Sequence, residues 1–290
     1  MRISHYQGDS VGNKVATAGH RKTGFVQGCA ALWSKLGRMA LVSAAVLLHL
    51  TIACPASAQT LTIVSDPYPP LGYVKDGEIV GFTVDLIKLL QQRTGIEGKF
   101  VMYPWARAYE MAQKEKDILI YQLTYTEERA RLFQLVGPIY HATDSLWKLK
   151  ARKDVVVRNL SDAKQYRVGT VRDYFTHKYL LENGFQEGKN LDAVHDDDMN
   201  VQKLASGRID LMFLDELVFN YRVKELGYKR DDFDNAFPVV SHDEYLAFSR
   251  PTSADVVSRF AKALLVMKKD GSYNSILRKY GIHAPEGKAD

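Results

Sequence analysis

The residues with the clearest chemical potential lie in Ile118–Tyr140, ILIYQLTYTEERARLFQLVGPIY. An apolar run, Ile118–Leu123, reads as a strand and breaks at Thr124-Tyr125-Thr126. A short helix opens there with Glu127, Glu128 and Arg129 in its first turn. Thr126 suits an N-cap, and Thr124 with Glu127 also fits the S/T-x-x-E pattern, so the start is open by one or two residues. A cation in a first helical turn opposes the macrodipole, at a cost of about 0.3–1 kcal/mol. Two readings of Arg129 follow. It pairs with a nearby Glu on the surface, or it turns back past the strand end. There its fork joins backbone N–H groups and the Thr124 hydroxyl in a site for a carboxylate or other small anion. Asp215 closes the most convincing buried strand of the second half, Ile209–Leu214 (IDLMFL), and precedes a helix. It reads as a helix N-cap or as a ligand contact at a strand mouth, where open α/β sheets bind their ligands.

Other chemistries find little support. His195-Asp196-Asp197-Asp198 suggests a metal, but it precedes a helix, where acids are favourable caps, so no metal is expected. Both cysteines, Cys29 and Cys54, lie near the front, so the remainder holds no thiol nucleophile. No G-x-S-x-G and no phosphate-cradling glycine loop appears, and no cofactor is expected.

The elements that must hold Arg129 and Asp215 alternate. Leu61–Ser65 predicts a strand, ended by Asp66-Pro67-Tyr68-Pro69-Pro70, which cannot continue a sheet. Apolar residues at 82, 86, 89 and 90 give Phe82–Gly95 one greasy helical face, with Gly95 as its cap. Lys99–Tyr103 reads as a strand, Trp105–Lys114 as a helix, and the 118–123 strand follows. After Pro138 the order resumes with strands Ser145–Leu149 and Tyr166–Thr170 and the helix Asp173–Asn183. Strand Asp192–His195, helix Asp197–Ala205, strand Ile209–Leu214 and helix Glu216–Leu226 come next. Phe237–Val240 and Glu244–Ser249 are further strands, and Ser253–Lys269 and Ser272–Tyr280 are helices. This rhythm predicts open, parallel α/β sheets.

The chain of 290 residues carries a formal charge of +5, all of it at the front. Residues 1–58 hold six basic residues and one acidic one, and the remainder balances at 33 of each. Nucleic acid and anionic membrane are therefore poor partners to expect. Lys35 and Arg38 precede an apolar run, Ala40–Ala53, and Pro55-Ala56-Ser57-Ala58 follows it. That order predicts a secretory signal over residues 1–58, long or started too early, with cleavage near Ala58-Gln59 and a periplasmic destination. The run is too short for a comfortable membrane span. Thr51-Ile52-Ala53-Cys54 resembles a lipoprotein cleavage box only weakly, since it lacks the Leu three residues before the Cys.

From Gln59 to Ile282 the chain resembles the bacterial periplasmic solute-binding proteins of the amino-acid type, family 3. LTIVSDPYPPLGY is similar to the family's opening strand and loop, and VGFTVDLIKLL to its G-F-x-x-D-L helix. LTYTEERARLFQLVGPIY resembles the T-x-E-R segment that ends in F-S-x-P-Y. YRVGTVRDYFTHKYL, ASGRIDLMFLDE and GSYNSILRKYGI resemble the V-G-x-x-x-G-T stretch, the L-x-x-G-R-x-D-A run and the closing helix. The resemblance implies an α/β, two-lobe periplasmic-binding-protein-like fold of type II, with two crossing strands as its hinge. The lobes it implies are 59–144 plus 245–290, and 145–244.

By the same resemblance Arg129 forks onto a ligand α-carboxylate with help from Thr124, and Asp215 takes the α-ammonium. Asp66, Tyr68 and Trp105 are at positions that line the family's cleft, although Asp66 reads equally as a turn residue and Trp105 as a core aromatic. Arg107 beside Trp105 is a further cation for a second acidic group, but reads better as a solvated helix residue. Tyr121 and Gln122 are bulky where small residues are usual. The Gly-Thr of the second lobe's loop is replaced around Asp173-Tyr174, so Arg172, Asp173 and Tyr174 become candidates to line the cleft. The function implied is capture of a small amino-acid-like solute for an inner-membrane ABC permease, by a monomer and without catalysis. Two alternatives stay open: a dehydratase-like enzyme on the same scaffold, with Glu216 or Asp173 as general acid, and a detached ligand-sensing component.

Overall fold

The computed structural model describes residues 60–282. The expected leader, both cysteines and the cleavage point lie outside the described residues. Within them the strands are β1 (Leu61–Ser65), β2 (Tyr73–Lys75), β3 (Glu78–Val80), β4 (Gly98–Met102), β5 (Ile118–Thr124) and β6 (Phe133–Leu149). They continue as β7 (Val168–Val171), β8 (Leu191–Val194), β9 (Leu211–Asp215) and β10 (Phe233–Ser249). The helices are α1 (Phe82–Thr94), α2 (Trp105–Lys114), α3 (Glu127–Leu132), α4 (Phe175–Glu182), α5 (Asp197–Ala205), α6 (Glu216–Glu225), α7 (Ala254–Lys269) and α8 (Ser272–Lys279).

The fold is α/β and two-lobed, and one sheet runs through both lobes in the order β4-β1-β5-β10-β6-β9-β7-β8. β1 pairs in parallel with β4 and β5, and β7 with β8 and β9, so each half keeps the parallel core that the alternating elements predict. Period-two alternation sends side chains to both faces. Leu61, Ile63, Leu119 and Tyr121 pack with α1, α7 and α8, while Val64, Ile118 and Ile120 pack on the opposite face with Ala108 and Ala112 of α2. In β9, Leu211 and Phe213 face one core and Met212 and Leu214 the other. Strands buried on both faces read as near-continuous apolar runs, which is why this half-and-half architecture was visible in the chain.

β6 and β10 are continuous strands of 17 residues each, longer than the segments Ser145–Leu149, Phe237–Val240 and Glu244–Ser249 that the local pattern predicts. They pair antiparallel from Phe233↔Leu149 to Ser249↔Phe133, with register shifts between Asn235 and Phe237, Pro238 and Val240, and Glu244 and Leu246. Such bulges absorb prolines and polar residues that would otherwise end a ladder. On its other edge β10 pairs with β5 through Glu244↔Thr124 and Tyr245↔Leu123, and on its other edge β6 pairs with β9 through Asp144↔Asp215. The β2–β3 hairpin was also missed, although Asp76-Gly77, both at positive φ (52° and 81°), is a strong short-range hairpin signal.

Candidate functional site

Where the two halves meet, a cavity of about 50 Å³ opens at the carboxyl ends of β1, β5 and β9. Its lining includes Asp66, Tyr68, Trp105, Gln122, Thr124, Arg129, Tyr174 and Asp215. Eight of the sequence-predicted residues thus meet in one place.

Arg129 is buried, and its Nη1 donates to the Thr124 carbonyl at 2.9 Å. Its guanidinium lies 5.8 Å from the Trp105 ring centroid and 5.7 Å from that of Tyr109. Thr126 is the N-cap of α3, accepting the Arg129 N–H at 3.1 Å, which resolves the ambiguous helix start. Arg129 lines the cavity instead of pairing with a Glu on the surface. The Thr124 hydroxyl, however, donates to Glu244 Oε1 at 2.8 Å instead of standing free beside Arg129.

Asp215 is both a helix cap and a wall of the cavity. It caps α6 by accepting the Val218 N–H at 3.1 Å, and it lines the cavity while Tyr140 Oη donates to its Oδ1 and Oδ2 at 3.3 and 3.2 Å. Burial first, then the charge of Asp144 opposite, raises its pKa to about 7 against the pull of those hydrogen bonds. Asp66 is likewise raised by burial, to about 6, and accepts a short hydrogen bond from Tyr174 Oη. Tyr174 also packs edge-on to Tyr68 at 6.0 Å and to Trp105 at 6.2 Å, so three aromatic rings close the outer end. Gln122 sits at φ 62°, accepts from Ser65 Oγ at 3.0 Å and donates to the Tyr68 carbonyl at 3.5 Å.

Four expected site residues are placed elsewhere. Tyr121 shares the parity of Leu119, so it is fully buried in the core against Phe100, 6.3 Å between rings, and does not line the cavity. Gly72 accommodates it: a Cβ there would come within 2.7 Å of the ring. Arg107 is exposed and stacks over Tyr103 at 4.3 Å. Arg172 is spent on Glu187 at 2.9 Å. Asp173 is exposed at φ 65° and lines only a shallow outer groove beside Trp105 and Lys178. Glu216, the other acid that an enzymatic reading needs, is exposed at the start of α6 and does not line the cavity. In the His195–Asp198 run, Asp196 caps α5 by accepting the Met199 N–H at 2.8 Å. Asp197 is buried 3.8 Å from Arg222, and burial raises its pKa to about 7.

Asp144, His242, Glu244, Tyr140 and Phe175 were not foreseen, yet all line the cavity. The signal was present: Asp144 and the His242-Asp243-Glu244 run are charged residues inside segments that had to cross between the halves. Long-range pairing alone brings them together, since His242 Nε2 lies 2.8 Å from Asp144 Oδ2 across 98 positions of sequence. Burial opposes protonation of His242, but the Asp144 hydrogen bond and the charges of Glu244, Asp144 and Asp215 outweigh it and raise its pKa.

The fold and this cleft define a two-lobed binding protein. The chain belongs to the bacterial extracellular solute-binding proteins, family 3, whose model matches residues 61–283. It is similar to the L-cystine-binding protein TcyJ of Escherichia coli (strain K12), 25% identical over 215 residues, covering 73% of this chain and 79% of that protein. It is similar to the histidine-binding periplasmic protein of Salmonella typhimurium, 25% identical over 240 residues, covering 79% of this chain and 90% of that protein. The ABC transporter arginine-binding protein 1 of Escherichia coli (strain K12) is 27% identical over 247 residues, covering 81% and 96%. Among solved structures, a histidine kinase sensor domain similar to periplasmic binding proteins superposes with a TM-score of 0.70 at 22% identity, covering 78% of this chain and 98% of that one. An ancestral arginine-binding protein bound to arginine gives 0.67 at 23%, covering 77% and 98%; these likenesses show the fold. The curated relatives are binding proteins, and among the described residues no helix is long and apolar enough to cross a membrane.

Proposed function

We propose that the protein captures a small amino-acid-like solute in this cleft and presents it to an ABC permease. One observation carries the reading: a buried cation, Arg129 on α3, and a buried acid, Asp215 at the end of β9, line a single cavity. A guanidinium fork suits a carboxylate, and an aspartate suits an ammonium, so a zwitterion would bridge them. With lobes at about 60–144 plus 245–282, and 145–244, each lobe would hold one end of the ligand, and closure would be rewarded by both contacts. The names of the relatives, which bind cystine, histidine and arginine, support an amino acid as the ligand class and ABC transport as the setting. Lys35 and Arg38 ahead of the apolar run Ala40–Ala53, with Pro55-Ala56-Ser57-Ala58 after it, support secretion to the periplasm.

The test is a thermal-shift screen of the twenty amino acids, with a stabilisation of RT ln(1 + [L]/Kd) expected from those that bind. Arg129→Ala should remove the shift while circular dichroism remains native. Wild-type affinity in that variant would overturn the assignment.

A further inference from the structure

At the inner end of the cavity, β6, β9 and β10 bring Asp144, Asp215, His242 and Glu244 together, with Tyr140 and the Phe175 ring beside them. Glu244 is buried at 7% exposure. Its Oε1 accepts from Thr124 at 2.8 Å and lies 3.4 Å from His242 Nδ1, but its Oε2 has no hydrogen-bond partner. His242 is held by Asp144 through Nε2 and leaves Nδ1 without a hydrogen bond. Burial raises the Glu244 pKa, and the charge of His242, the Thr124 hydrogen bond and the charge of Arg129 pull it back.

Charge balance then restricts the guest. A ligand carboxylate would neutralise Arg129, one ammonium would neutralise Asp215, and a protonated His242 would neutralise Asp144. Glu244 and Asp66 remain: Asp66 has the Tyr174 hydroxyl and Glu244 meets His242 through Oε1, but the buried Glu244 Oε2 has no partner, a costly arrangement unless the ligand reaches it. The cavity is small, about 50 Å³, so a partner for Oε2 would sit close to the first ammonium. A metal ion is a poor fit, because among the described residues no group of three or more His, Asp or Glu side chains converges as a ligand set.

We propose that Glu244, backed by His242 and Asp144, is a second cation subsite beside Asp215, so that the favoured ligand is a short amino acid carrying two ammonium groups close together. This rests on the zwitterion reading of Arg129 and Asp215, and the charge at position 244 then selects among ligands that the pair would accept.

Isothermal titration of the folded protein at pH 7.5 with L-2,4-diaminobutyrate and with L-norvaline tests it, since the two probes differ only by an ammonium in place of a methyl. The wild-type protein is expected to bind the diamino acid at least tenfold more tightly. Glu244→Gln, which keeps the acceptor for Thr124, should bring the ratio to within about twofold, and Glu244→Asp should keep the preference in the same direction. Arg129-dependent binding of norvaline with no preference for the diamino acid would overturn the subsite alone. A preference that survives Glu244→Gln would overturn it as well. Failure of the wild-type protein to bind any amino acid would overturn both the subsite and the reading beneath it.

Discussion

Asp144 on β6 lies directly opposite Asp215 on β9 in an antiparallel ladder, two buried carboxylates on neighbouring strands. Like charges so placed are destabilising, and desolvation adds to the cost. Asp215, Asp197 and Asp66 accordingly have pKa values raised by burial to about 7, 7 and 6. Between the unfolded carboxylate pKa and these values the folded chain holds protons that the unfolded chain has released. That contribution to stability is full below about pH 4 and is lost as pH rises through 6 to 7. The ligand-free protein should therefore melt at a higher temperature at pH 5 than at pH 8, as read by scanning calorimetry.

Asp215→Asn should separate stability from binding. Asparagine caps a helix as well as aspartate does, so α6 keeps its Val218 contact while the opposed charge disappears. At pH 8 the variant should gain on the order of 1 kcal/mol, about 2–4 °C in Tm for a domain of this size. It should also lose the thermal shift with amino acids. In the wild-type protein the same acid predicts that ammonium binding weakens as pH falls below about 7, which titration calorimetry at pH 6 and pH 8 would measure.

Arg129→Lys keeps a positive charge at the cavity but not the fork. A single ammonium cannot hold both the Thr124 carbonyl and two oxygens of a carboxylate in one plane. We expect ligand affinity to fall about 10- to 100-fold, the loss of a charge-assisted hydrogen bond of about 1.5–3 kcal/mol. A variant with unchanged affinity would show that Arg129 acts only as a point charge.

Tyr174→Phe removes the hydroxyl that Asp66 accepts and leaves the ring contacts with Tyr68 and Trp105. Under the proposed lobe division that hydrogen bond crosses the cleft. The ligand-free variant should show a larger radius of gyration by small-angle scattering, and a stability lower by about 1–3 kcal/mol because a buried acid loses its donor.

Gly72→Ala tests how Tyr121 is housed. The added Cβ would lie 2.7 Å from a ring carbon of a fully buried tyrosine, closer than packing allows. A loss of about 1–3 kcal/mol in urea unfolding is expected, typical of overpacking.

Arg129 and Asp215 were legible in the chain because each follows a buried apolar strand and opens a helix, a local pattern that survives without knowing any partner. Tyr121 was misplaced because the likeness of its position to a cleft-lining one ignored the strand parity it shares with Leu119. Arg107 lies over the Tyr103 ring at the surface, in line with its reading as a solvated helix residue, and Arg172, a candidate only through the altered loop beside it, is held by Glu187.

By itself the amino-acid order determined the alternation of strands and helices, the strand-end positions of the cation and the acid, and the neutral charge of the region after the leader. These depend on periodicity and caps, interactions that span a few residues. Only the tertiary structure decided that β6 and β10 run unbroken and that Asp144, His242 and Glu244 converge with Asp215 and Thr124. Those meetings span about a hundred positions of sequence, and a pairing register set by both cores, not any local preference, selects which side chains face one another.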